Sequence, residues 1–127
     1  MLDSAFLIAK ALMKYLVAVV AAATLAGCAA PSQSARSAGP SKVLTSSKQE
    51  TAVAQCIQVS WQNESMFGAT SDVFMHKLSG GGFTVFTTQA RYFADVRAGG
   101  PATTAEFYAP QDDNGSALRA AAIATCL

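Results

Sequence analysis

One histidine, three cysteines and an acidic cluster near the C-terminal end are the residues of this 127-residue chain best suited to chemistry. His76 lies between Met75 and Lys77 in a β-type run. As a catalytic base it needs a nucleophile and an orienting carboxylate brought together. No Gly-x-Ser-x-Gly elbow supplies that nucleophile. Only a pocket placing His76 beside Asp72 would raise the prospect of catalysis. Zinc is poorly served by a single imidazole, because structural sites want four Cys or His ligands. Asp112-Asp-Asn-Gly115 resembles part of a calcium loop, but the twelfth position is Ile123 where a bidentate Glu is required. Those residues read better as a turn and helix cap. Gly80-Gly-Gly82 lacks the Lys-Ser/Thr and helix of a phosphate loop and reads as a turn. The expectation is a non-enzymatic protein with no catalytic residue, no metal and no cofactor.

The three cysteines, Cys28, Cys56 and Cys126, are better understood from the segment that precedes the first. Lys10 and Lys14 lead into the apolar run from Tyr15 to Leu25. That run is too short for a membrane-crossing helix, which needs about 20 apolar residues. Its length fits the apolar region of a secretory signal, about 7–15 residues. Leu25-Ala26-Gly27-Cys28 follows and resembles the lipobox of bacterial lipoproteins. The resemblance implies acylation of the Cys28 thiol, cleavage of the Gly27–Cys28 bond and acylation of the new amino group. Several acyl chains make attachment effectively permanent where one is marginal. Ala29, rather than Asp, points under the family's sorting rule to the outer membrane; its periplasmic face is the expected side. Residues 1–27 are therefore expected to be a signal peptide. Met13-Lys-Tyr-Leu-Val is a more usual opening for such a signal than Met1 with Asp3 behind it.

With Cys28 assigned to lipid, Cys56 and Cys126 remain as a pair. In an oxidising compartment a pair is most simply a disulfide. Two buried free thiols are the alternative, and a redox-active pair would lack any Cys-x-x-Cys spacing. Lys10, Lys14 and Asp3 leave with residues 1–27, so the remaining part carries seven basic and seven acidic groups. Nucleic-acid binding and an electrostatic membrane anchor both want a basic patch, and none is visible.

These residues need a scaffold. Residues 28–46 hold Cys28 and a stretch rich in Ala, Ser, Pro and Gly, too poor in apolar surface to offset its ordering entropy. They read as a flexible tether spanning roughly 24 Å on average and about 60 Å at full stretch. Residues 47–127 read as one domain. Ser47-Lys-Gln-Glu50 has the form of a capping box. Val53, Cys56, Ile57, Ser60 and Trp61 then follow at helical spacing, ending near Asn63. Two β-hairpins come next, 72–88 around the glycine turn and 91–109 around a turn at 98–102. A C-terminal helix over 116–127 places Leu118, Ala122 and Cys126 on one face. The expected fold is α+β: a four-stranded antiparallel meander with the N-terminal and C-terminal helices on one face, joined by the disulfide.

Alternation divides the second hairpin into two faces. Tyr92, Ala94, Val96, Ala105 and Phe107 should face the helices. Phe93, Asp95, Arg97, Glu106 and Tyr108, with Phe86, should face water and offer aromatic rings among charges, as interface anchors do. The alternatives are cross-strand pairing, Arg97 with Glu106 for example, or packing on the loop carrying Trp61 and Phe67. Gln55-Cys-Ile-Gln-Val-Ser-Trp61, Gly81-Gly-Phe-Thr-Val85 and Ala120-Ala-Ala-Ile-Ala-Thr-Cys126 together resemble uncharacterised small proteobacterial lipoproteins, a likeness that implies no activity. The expected role is an outer-membrane-anchored binding or structural module whose partner is an envelope protein or peptidoglycan component. The alternative is an inhibitor of a hydrolase such as lysozyme, although two helices argue against the β-barrel inhibitors.

Overall fold

Runs of β-branched and aromatic residues punctuated by glycine turns build an antiparallel sheet, and two amphipathic helices cover one side of it. The computed structural model describes residues 2–23, 30–63, 72–111 and 113–127; Cys28, Phe67 and Asp112 lie outside them. Helix α1 (Leu2–Ala23) comes first, with exposed side chains from Asp3 to Leu16. Among the described residues, no helix is long and apolar enough to cross a membrane. A short helical segment, α2 (Gln33–Ser37), is capped by Ser32, whose Oγ accepts the Ala35 amide at 3.2 Å. Strand β1 (Lys42–Ser46), helix α3 (Glu50–Trp61), strands β2 (Val73–Lys77), β3 (Phe83–Thr87), β4 (Phe93–Gly99) and β5 (Ala102–Tyr108), and helix α4 (Asn114–Ala124) complete the chain.

The sheet has five strands, in the order β1-β5-β4-β3-β2. Strands β2 to β5 form the expected meander, and β1 adds a fifth strand beside β5, with Leu44 opposite Ala105. The expected four-stranded sheet and the expected tether over 28–46 are both corrected here, because part of that stretch is ordered. The reason is that β1 is held by its backbone ladder more than by burial: only Ser46 is buried and only Leu44 half-buried. An edge strand of this kind leaves almost no apolar signature.

The second hairpin is tighter than expected. Ala98 pairs with Thr103 and Gly99 with Ala102, leaving Gly100-Pro101 as a two-residue turn. In the first hairpin, Gly82 sits at φ +88° against the Val96 carbonyl of the neighbouring strand, a conformation and a closeness that exclude a side chain.

Helix α3 begins two residues later than a Ser47 cap requires. Its N-cap is Gln49, without a side-chain hydrogen bond. The Glu50 carboxylate instead accepts the Ala98 amide at 2.8 Å, beyond Val96 where the β3–β4 ladder ends. Val53, Ala54, Ile57 and Trp61 are buried against Val85, Ala94, Val96, Ala105 and Phe107 of the sheet. Each large apolar side chain buried here contributes about 1.5–3 kcal/mol. The face expected to meet the helices does so. Helix α4 is capped by Asp113, which accepts the Gly115 amide. Its buried side carries Arg119, Ala120, Ala122 and Ile123; of the expected stripe Ala122 and Cys126 are buried, whereas Leu118 is half exposed. The Trp61 indole ties that side of the helix to α3 by donating to the Arg119 carbonyl at 3.2 Å. Cys56 and Cys126 join the two helices in a disulfide with Cα atoms 5.6 Å apart.

Candidate functional site

The side of the sheet away from α3 holds the residues expected to form an interaction face, and most of them are not exposed. Phe86, Phe93 and Tyr108 retain 2%, 3% and 7% of their surface and form a second small apolar cluster with Ala90 against it. Asp95 is buried at 1%. The expectation that this set faces water is corrected for these four residues; Arg97 is exposed and Glu106 partly so. Phe86 lies against the Phe74 and His76 rings of β2, whereas Asp95 and the Phe93 ring are covered by Arg36 of the segment 31–37, which the composition assigned to a flexible tether.

Arg36 does most of the covering. Its Nε donates to Asp95 Oδ2 at 2.6 Å and its Nη2 to Asp95 Oδ1 at 2.9 Å, a two-pronged contact with a side chain of zero exposure. Nη1 donates to the Pro31 carbonyl at 2.8 Å, and Nη2 also reaches Thr84 Oγ1 at 3.4 Å. The guanidinium lies 5.3 Å from the centre of the Phe93 ring, within cation–π range. Beneath it Phe93 and Tyr108 stack with centroids 4.4 Å apart and planes 8° from parallel. The Asp95 hydrogen bond, against the opposing effect of burial, raises Arg36 above the ordinary guanidinium range. Burial first, then the hydrogen bond to Glu106, pushes the Tyr108 phenol up to about 12; its hydroxyl donates to Glu106 Oε2 at 3.0 Å.

Arg97 stands at the rim, with Nη2 3.8 Å from Asp95 Oδ2 and Nη1 4.0 Å from Glu106 Oε1. The expected cross-strand pairing of Arg97 with Glu106 is thus present, at the outer limit of an ion pair. Chemically the site is a carboxylate held out of water beside a stacked aromatic pair, filled by a guanidinium. Sequence reasoning missed Arg36, Thr84 and Pro31. One signal could have found Arg36: it is the only charged residue between Cys28 and Lys42.

The other chemically able residues stand elsewhere. His76 is exposed on the edge strand β2, with its ring edge-on to Phe86 at 5.0 Å. Among the described residues, no three His, Cys, Asp or Glu side chains cluster to hold a metal. A cleft of 630 Å³ is lined by Ser41, Lys42, Phe107, Asp113 and Asn114 among others. Its Asp113 is already engaged: Tyr92 Oη and Arg91 Nη2 each donate to Oδ2 at 2.7 Å. The Tyr92 bond, with the Gly115 amide and Arg91, holds the Asp113 carboxyl below its usual range. Deeper in, the Arg119 guanidinium lies 4.7 Å from the Tyr92 ring centre and 5.4 Å from that of Trp61, and burial lowers its pKa.

The chain was compared with family models, with curated proteins and with solved structures, and none of them matches it.

Proposed function

We propose that this chain is the precursor of a bacterial envelope lipoprotein, anchored through lipid on Cys28 to the periplasmic face of the outer membrane and acting there as a non-enzymatic binding or structural module. The observation that carries this reading is the bonding of Cys56 to Cys126, which leaves Cys28 as the one remaining thiol of the three, at the end of Leu25-Ala26-Gly27-Cys28. A disulfide of this kind belongs to an oxidising compartment, which agrees with an export signal ahead of it. The neutral charge balance after Cys28 favours a lipid anchor over electrostatic adhesion. The module's contact with an envelope protein or a peptidoglycan component is assigned to the sheet side of the domain, through Arg97, Glu106 and the residues under segment 31–37.

Radiolabelled palmitate fed to the native host tests the anchor. The wild-type chain should incorporate label, lose residues 1–27 and fractionate with outer membrane. Cys28→Ala should take up no label and keep its N-terminal segment. An unlabelled, uncleaved wild-type protein would overturn the reading.

A further inference from the structure

Between residues 30 and 40, only Pro31 and Arg36 give up much of their surface; every other position is exposed, and α2 buries none of its residues. The segment therefore adheres to the sheet through one guanidinium, which the Pro31 carbonyl steadies from within the segment. Gly39, at φ +84°, and Pro40 separate it from Ser41, whose amide begins the pairing with β5 by donating to the Phe107 carbonyl at 2.7 Å. The segment can swing away without breaking a rung of the sheet. What it leaves behind is a built site: both Asp95 oxygens, the Thr84 hydroxyl and the face of Phe93 stacked on Tyr108. Two oxygens side by side match the fork of an arginine and not the point charge of a lysine. When Arg36 leaves, Arg97, 3.8 Å from Asp95 and 44% exposed, stands ready to compensate the carboxylate meanwhile.

We propose that the Asp95 cradle is a recognition site for an arginine-bearing segment of another envelope polypeptide, and that residues 31–37 are its built-in competitor, keeping the site shut until that segment displaces them. This rests on the reading of the sheet side as the binding side and names the partner's chemistry. It does not rest on lipidation.

The test titrates the peptide Pro-Ser-Gln-Ser-Ala-Arg-Ser, a stand-in for the partner's segment, into the detergent-solubilised full chain with its disulfide intact, followed by calorimetry. Arg36→Ala, with folding checked by near-ultraviolet circular dichroism, should bind the peptide. The wild type should bind it at least about tenfold more weakly, because its own segment competes at roughly millimolar effective concentration. A version of the peptide with lysine for arginine should also bind at least about tenfold more weakly. Adding Asp95→Asn to Arg36→Ala should abolish binding. Arg36→Lys keeps a cation over Asp95 and covers the case in which Arg36→Ala fails to fold; it too should admit the arginine peptide better than wild type. A folded Arg36→Ala that ignores the peptide, or that binds it equally after Asp95→Asn, overturns the proposal. So does a dimer of the intact chain that Asp95→Asn dissolves, which would give the cradle to the 31–37 segment of a second copy. The titration needs no lipid, so its failure leaves the anchor at Cys28 standing, and a failed palmitate experiment leaves the cradle standing.

Discussion

Arg36 and Asp95 lie 59 positions apart in sequence, yet two guanidinium nitrogens of the first meet both carboxylate oxygens of the second, at 2.6 and 2.9 Å. The contact turns a composition-poor segment into the cover of a sheet. It also accounts for how an acid with no exposed side-chain surface is accommodated between Ala94 and Val96. A buried ion pair adds little net stability over an apolar pair of the same shape, but removing one partner is costly because the other is left as an uncompensated charge.

Arg36→Ala should therefore destabilise the domain by about 3 kcal/mol, at the low end for a broken buried pair, since Arg97 is close enough to offset part of the loss. The double variant with Asp95→Asn should be less destabilised than the sum of the singles, with a coupling of about 2 kcal/mol. Urea denaturation of the four proteins measures both. A coupling near zero would mean that the contact does not form in solution.

The Tyr108 phenol should keep its proton until about pH 12 in the folded domain. The unfolded chain releases that proton at an ordinary value near 10, so the folded pKa is the raised one. The Tyr108 contribution to stability is complete below pH 10 and is lost as pH climbs towards 12. Tyr108→Phe should remove one late-titrating component from the tyrosinate absorbance and flatten that alkaline loss. Normal titration of Tyr108 near pH 10 would contradict its burial and its bond to Glu106.

Reduction of the Cys56–Cys126 bond, which closes a span of 70 residues, should cost about 4 kcal/mol from loop-closure entropy. For a domain of this size that lowers the melting temperature by about 20 °C. Thermal melts with and without reductant measure the shift. An unchanged melt would show that packing between α3 and α4 suffices alone.

The parts of this fold that were legible in the sequence were those written in local pattern or in parity. Alternation along 92–97 sorted Tyr92, Ala94 and Val96 from Phe93, Asp95 and Arg97 correctly, because a strand's period of two leaves no freedom once one face is apolar. Two cysteines on apolar helix stripes paired as parity suggested. What escaped was non-local. Lys42-Val-Leu-Thr-Ser46 joins the sheet through backbone groups that every residue possesses, so its composition said tether. Leu118 failed as a core residue while Ala122 and Cys126 of the same stripe did not; the helix is tied through the Trp61 indole bond to the Arg119 carbonyl, a partner no spacing within 116–127 records. The face carrying Phe93 and Tyr108 was expected to be wet because its cover comes from sequence that binds nothing on its own pattern; a lone arginine among Ala, Ser and Pro was the only trace.

Gly82→Ala should destabilise far more than Gly81→Ala. Both residues have positive φ, which costs an alanine about 1–2 kcal/mol. A Cβ on Gly81 meets open space, whereas one on Gly82 overlaps the Val96 carbonyl oxygen and comes within 2.9 Å of the Arg97 Cγ. A loss of about 3 kcal/mol or more at Gly82, against about 1–2 kcal/mol at Gly81, is the expected denaturation result. Equal losses would place the turn differently.

Under the proposed anchor at Cys28, the docked segment would also govern altitude. Between Cys28 and Pro31 the chain has only Ala29 and Ala30, a leash of about 10 Å at most. A lipidated Cys28 would thus hold Pro31, and the segment docked behind it, close above the headgroups. Casting off Arg36 pays out twelve residues before Ser41, about 45 Å of line. One guanidinium would then decide whether the domain rides at the membrane surface or ranges several nanometres from it, and the displacement that opens the cradle would be the same event that lets the domain go out to meet what fills it.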